Sequence, residues 1–206
     1  LAQKIAALLV GFEGEVGVYV KHLARGDEVA IRADDVFPTA SLVKVPILLR
    51  LFDRVDRGEL GYHDEFAYDA SKWDRGGEDL ASRFRDGVEV PLSKLVMLMI
   101  TTSDNTASLW CQDLAGTGTA VNAWLSSNGF EATRVNSRTA GREAAYAEWG
   151  WGQTTPREMA RFLVGVRRGE FVSKAASEEM YRCLTRMYWN DEALAFVPPW
   201  VCAAAK

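Results

Sequence analysis

Apolar and polar positions change rhythm several times along this chain, and each change predicts an element. Residues 2–12, AQKIAALLVGF, space their apolar side chains at helical intervals as far as Gly11 or Gly14. EVGVYVKHL (15–23) alternates as a half-buried strand does. ARGDE then turns and VAIRADDVF returns, which predicts a β-hairpin. A helix follows over 41–56, stopped by Gly58 and Gly61, and residues 62–80 read as a polar loop with one helical turn at 79–84. PLSKLVMLMITT predicts a buried helix opened by Pro91, a favoured place for proline. Helices at 105–115 and 117–128 come next, separated by Gly116 and Gly118. Residues 133–153 read as a large loop, and loops of that length in compact domains are functional or disordered. TTPREMARFLVGVRRG carries threonine caps, Pro156 and Glu158 at a helix start, and Ser173 caps a last helix over SKAASEEMYRCLTRM.

The helix over 41–56 contradicts its own pattern. Val43, Val45, Ile47, Leu48, Leu49, Leu51 and Phe52 surround Lys44 on nearly every side. A helix apolar all round is buried. A buried ammonium costs several kcal/mol unless it is paired or loses its proton.

Composition narrows the class. With 206 residues, 48% of them hydrophobic, the chain has enough apolar material for one large core or two small, packed ones. A net charge of −4 and no basic stripe give no footprint for nucleic acid. Three scattered cysteines without CxxC and two histidines, His22 and His63, argue against a disulfide framework and against a metal site. The histidines read as structural or surface residues. No apolar run is long enough to span a bilayer. The chain starts at Leu1 rather than methionine, which reads as a processed or trimmed product.

Ser41 and Lys44 form S-x-x-K, and residues three apart share a helix face. A desolvated lysine accepts a proton readily, and a helix N-terminus favours developing negative charge on the hydroxyl. Alone, the pair is a weak pattern, better explained by a serine cap and a lysine snorkelling to water. Ser103-Asp104-Asn105 follows the buried helix, 62 residues after Ser41. S-x-x-K followed by S-D-N resembles class A β-lactamases and penicillin-binding proteins. FPTASLVKVPIL, MITTSDNTA and TTPREMA resemble landmarks of that family in order and separation, across essentially the whole chain.

The resemblance implies an α+β, transpeptidase-like fold: an all-helical subdomain plus an antiparallel sheet flanked by helices. It divides the chain into an N-terminal helix and hairpin (1–37), a mainly helical subdomain with the serine (38–188) and a return to the sheet (189–206). It implies Ser41 as acylated nucleophile, Lys44 as its base, Ser103 as proton relay, Asn105 as partner of the substrate amide and Lys206 as support for the substrate carboxylate. Lys206, the last residue, falls where the family's K-T-G lysine is expected, and WVCAAAK resembles the strand leading to it. On that reading the closing strands are missing, and a second chain or C-terminal segment completes the fold. The family's deacylating glutamate and its asparagine partner fall in register at Thr139 and Glu143, and neither matches. Glu143 or Glu148 substitutes only if the loop is rebuilt. Trp149 and Trp151 wall a substrate cleft or anchor the loop.

The implied ligand is a small β-lactam or another acyl compound. No cofactor is implied, since the chemistry uses side chains and water. The implied location is periplasmic or secreted. Three alternatives stay open: a D-alanyl peptidase or esterase on the same scaffold, a protein that binds or senses β-lactams, and an inactive fragment.

Overall fold

A computed structural model describes residues 1–73, 79–191 and 193–206. The chain opens with α1 (Ala2–Leu8), shorter than its pattern and with no buried residue. The hairpin follows as β1 (Val18–Lys21) and β2 (Glu28–Ile31), antiparallel, with Val18 opposite Ile31 and Lys21 opposite Glu28. After β3 (Phe37–Pro38) comes a 3-10 turn at Ala40–Val43 and then α2 (Lys44–Asp56). Residues 43–49 are all buried, so α2 is the central helix that the pattern predicts.

The polar stretch 62–80 holds more order than a loop. β4 (Glu65–Ala67) pairs antiparallel with β5 (Glu89–Pro91), and α3 (Ala70–Trp73) brings Trp73 into a stack with Trp110. Part of that predicted loop, 74–78, lies outside the described residues. The predicted turn at 79–84 is a 3-10 turn at Ala81–Arg83. α4 (Leu92–Met97) then widens into a π-type turn at Leu98–Thr102, with Pro91 capping α4 rather than entering it. α5 (Asn105–Leu114) and α6 (Thr117–Ser127) lie as the pattern predicts, and α2 packs against both.

Residues 133–153 are not a structureless loop. They hold β6 (Arg134–Val135), α7 (Glu143–Trp149) and β7 (Gly152–Thr154). β7 lies between β3 and β6 in an antiparallel three-stranded sheet. Strands of two or three residues are too short for alternation to register, and α7 buries none of its residues. Gly152 lets β7 approach the start of α2: a Cβ there would lie 2.7 Å from Arg134 O and 2.8 Å from Val43 Cγ2.

α8 (Pro156–Arg168) starts as its sequence predicts, with the Thr155 hydroxyl accepting the Glu158 N–H at 3.2 Å. The Glu158 carboxylate also accepts the N–H groups of Glu131, Ala132 and Thr133 at 2.7–3.2 Å, which fastens the approach to β6 onto α8. α9 (Lys174–Leu184) packs on α2 and α8, ending three residues before the pattern does. The strand expected in WVCAAAK is absent. Residues 202–206 are irregular and hold to α9 through Ala205 N–H and Leu184 O at 3.1 Å. A strand needs a ladder partner, and none of the described residues offers one there. No helix among the described residues is long and apolar enough to cross a membrane.

Candidate active site

The 3-10 turn ahead of α2 carries Ser41, and the first residue of α2 is Lys44. Ala40 enters the turn with φ +43°, a left-handed conformation rare for a residue with a side chain. Lys44 is fully buried, yet its Nζ is surrounded by oxygen: Ser41 Oγ at 3.2 Å, Ser103 O at 2.6 Å, Ser103 Oγ at 3.0 Å and Asn105 Oδ1 at 2.9 Å. Snorkelling is excluded. The lysine is tolerated because polar groups from a second segment reach into the core to meet it.

That segment is the joint between the π-type turn and α5. Ser103 has φ +61°, which turns both its carbonyl and its hydroxyl towards Lys44. Its Oγ donates to Ser41 Oγ at 2.8 Å, so the two serines and the lysine form one connected triangle. Asp104 is the N-cap of α5, accepting the Ala107 N–H at 2.7 Å and, from the loop before α4, the Ala81 N–H at 2.8 Å. Asp79 accepts the N–H groups of Asn105 and Thr106 at 3.1 and 3.0 Å and the Thr106 hydroxyl at 3.0 Å.

Burial pulls the Lys44 ammonium down from 10.5 to about 8, while the charges of Asp79 and Asp104 oppose the shift. A lysine so tuned is a base near neutral pH. Lys206 is drawn down to about 7, first by burial and then by the charge of Lys44. Its Nζ donates to Ile100 O at 3.0 Å. A cleft of about 570 Å³ opens over the triangle, lined by Ser41, Ser103 and Lys206 and walled by Met187, Trp189 and Leu194. The Trp189 indole N–H is anchored on Thr102 O at 3.0 Å, which leaves the ring at the cleft edge, exposed. Thus Ser41, Lys44, Ser103 and Asn105 meet directly, and Lys206 joins them across the cleft.

The stretch 133–153 does not bring a carboxylate into this group. Thr139 is buried and aims at α6: its Oγ1 lies 1.8 Å from where a Cβ on Gly118 would stand, and it donates to Ser137 O at 3.0 Å. Gln112 of α5 pins the same strip, donating to Ser137 O at 2.6 Å and accepting from Ser137 Oγ at 3.0 Å. Glu143 opens α7 and accepts the Gly141 N–H at 3.1 Å. It lines a separate cavity of about 400 Å³ with Thr139, Tyr146 and Trp151. Trp151 is half-buried against the core, with its ring 6.0 Å from Lys44 Nζ. Among the described residues no group of three or more side chains could hold a metal ion.

Asp79 and Gln112 escape a sequence reading. Asp79 is one of several acids in a polar stretch, and its partners lie 26 and 27 residues away. Gln112 is one of three buried polar residues in α5, with Thr106 and Ser108. Neither carries a local spacing signal.

The model of the beta-lactamase enzyme family, Beta-lactamase2, matches residues 1–206. The beta-lactamase regulatory protein BlaB of Streptomyces cacaoi is 35% identical over 89 residues, 43% of this chain and 28% of its own length. A beta-lactamase of Streptomyces fradiae is 26% identical over 192 residues, 92% of this chain and 62% of its own length. The chain therefore spans less than two thirds of these curated relatives. Among solved structures, a beta-lactamase from Sphaerobacter thermophilus superposes with a TM-score of 0.83 at 27% identity, covering 96% of this chain and 72% of that one. PBP-A superposes at 0.80 and 25% identity, covering 92% and 69%.

Proposed function

Because the chain belongs to the beta-lactamase enzyme family, we propose that it is an active-site-serine hydrolase acylated at Ser41 by β-lactams. The observation that carries this reading is the triangle of Ser41 Oγ, Lys44 Nζ and Ser103 Oγ, with sides of 2.8, 3.0 and 3.2 Å. Neutral Lys44 takes the Ser41 proton as Ser41 Oγ bonds to the lactam carbonyl carbon. When the carbon–nitrogen bond breaks, Ser103 passes a proton from Lys44 to the leaving nitrogen. Asn105, exposed and in contact with Lys44 Nζ, holds the substrate amide, and Lys206, which lines the cleft, attracts the substrate carboxylate.

Release of the acyl group is the slow step on this reading. All four carboxylate oxygens of Asp79 and Asp104 accept backbone N–H groups, so neither is free to activate water. Thr139 stands where the family's loop glutamate falls in register, and it faces α6. The same observation favours a second reading, a protein that traps a β-lactam covalently as a sensor or penicillin-binding protein does. A D-alanyl peptide or small ester is the competing substrate on the same serine.

Intact-mass measurement with benzylpenicillin tests the proposal. A one-to-one adduct that maps to Ser41 and disappears in Ser41→Ala is expected. Folded protein without an adduct overturns it. The lifetime of the adduct then separates a hydrolase from a trap, and parallel turnover of a chromogenic lactam and a simple ester separates the substrates.

A further inference from the structure

The head of α5 carries three consecutive backbone N–H groups that the helix itself cannot satisfy. Asp104 takes one of them, on Ala107, as an ordinary cap does. The other two, on Asn105 and Thr106, go to Asp79, which also takes the Thr106 hydroxyl. The exchange is reciprocal, because Ala81, two residues beyond Asp79, donates its N–H back to Asp104. Loop 79–81 and the head of α5 are thus clamped by two carboxylates facing opposite ways.

The clamp grips the residues that hold Lys44. Asn105 gives its N–H to Asp79 and its Oδ1 to Lys44 Nζ. Ser103, one residue outside the clamp, meets Lys44 through both oxygens. We propose, building on the acylation reading above, that Asp79 is a positioning residue which orients Asn105 and Ser103 on Lys44 and sets the pH range in which Lys44 serves as base.

The charged groups facing Lys44 among the described residues are Asp79 from the loop, Asp104 from the head of α5 and Lys206 from the C-terminal segment. Its other neighbours, Ser41, Ser103, Asn105 and the Trp151 ring, carry no charge. The two carboxylates favour the ammonium, and Lys206 opposes it. Removing the charge of Asp79 makes Lys44 a weaker base that is deprotonated at lower pH.

The test is the rate of adduct formation with benzylpenicillin across pH, for the parent chain, Asp79→Asn and Thr106→Val. Asp79→Asn keeps an acceptor oxygen and loses the charge. Its acid limb should move to lower pH by on the order of half a unit, and its plateau should fall several-fold as Asn105 loosens. Thr106→Val removes one hydrogen bond of the clamp and keeps both charges, so its limb should stay at the parent position. Matching melting temperatures establish that each variant is folded. A parent-like limb in folded Asp79→Asn overturns the proposal, since a merely structural cap would not move it. An equal shift in Thr106→Val overturns it as well. No adduct in the parent sinks the acylation reading and this one together, whereas an adduct in the parent with a parent-like limb in Asp79→Asn sinks only this one.

Discussion

Lys44 Nζ lies 3.2 Å from Ser41 Oγ at the head of a helix whose next five residues are buried and apolar, and no part of the lysine reaches solvent. Both the chemistry and the pH behaviour of the protein follow from that pair.

Acylation should depend on the neutral amine. With the ammonium drawn down to about 8, the rate of adduct formation should climb with pH and level off above about pH 8. Lys44→Met should lower the plateau on the order of 100- to 10,000-fold, the usual contribution of a positioned base. Stopped-flow acylation of both proteins checks this. A flat profile in the parent between about pH 6 and about pH 9 contradicts the role.

The same burial makes stability depend on pH. The folded-state value is lowered from 10.5 to about 8, so between those limits the unfolded chain holds a proton that the folded chain has released. Stability must then rise with pH across that window, and below about pH 8 the full cost of the buried charge is felt. The rise attributable to Lys44 is at most about 3 kcal/mol. Denaturant unfolding at the two ends of the window should show the rise in the parent and lose this part of it in Lys44→Met. Lys206 shifts in the same direction, mainly through burial, and in Lys44→Met it loses only the part that the Lys44 charge adds. Parallel curves for parent and variant count against the buried charge.

How much of this was legible depends on whether the signal was local. Lys44 among leucines is legible from the sequence as an anomaly, which a snorkelling lysine also explains until Ser103-Asp104-Asn105 is read beside it. The S-x-x-K spacing predicts Ser41 beside Lys44, although the serine sits in a 3-10 turn rather than in the α-helix. Helices α5, α6 and α8 carry their own punctuation in Gly116, Thr155 and Pro156, and they lie where expected. Three kinds of feature stayed hidden. β6 and β7 are too short to show a period, and their order comes from pairing between residues 17 apart in the chain, as between Val135 and Gly152. Asp79 works through partners distant in sequence. The direction of Thr139 is set by the space that Gly118 leaves in another helix.

That space predicts a packing dependence. A Cβ at Gly118 would stand 1.8 Å from Thr139 Oγ1 and 2.9 Å from Thr139 Cβ. Gly118→Ala should therefore cost about 1–3 kcal/mol, the range for overpacking a filled core. In a Thr139→Ala background the cost should shrink, since the nearer atom is gone. Urea unfolding of the four proteins gives the coupling directly. Additive costs would mean that the two residues do not meet.

The direction of Thr139 also decides whether a catalytic base can be restored by a single change. If the slow release of the acyl group came only from the lack of a carboxylate at this position, Thr139→Glu should shorten the life of the Ser41 adduct. The structure argues otherwise. The Thr139 side chain points at Gly118 and Gln112, with its hydroxyl held by Ser137 O, and not at the triangle. A glutamate there either overpacks the contact with Gly118 or turns its charge into the cavity that Glu143 already lines, away from the triangle. Thr139→Glu should lose about 2 kcal/mol or more of stability. The decay of the benzylpenicillin adduct, followed by intact mass after removal of free drug, should match that of the parent. A tenfold or greater acceleration in a folded variant would mean that the strip from Asn136 to Glu143 can turn over and present residue 139 to the acyl group. Gln112 would then be the residue to release next, because its two hydrogen bonds to Ser137 hold that strip in place.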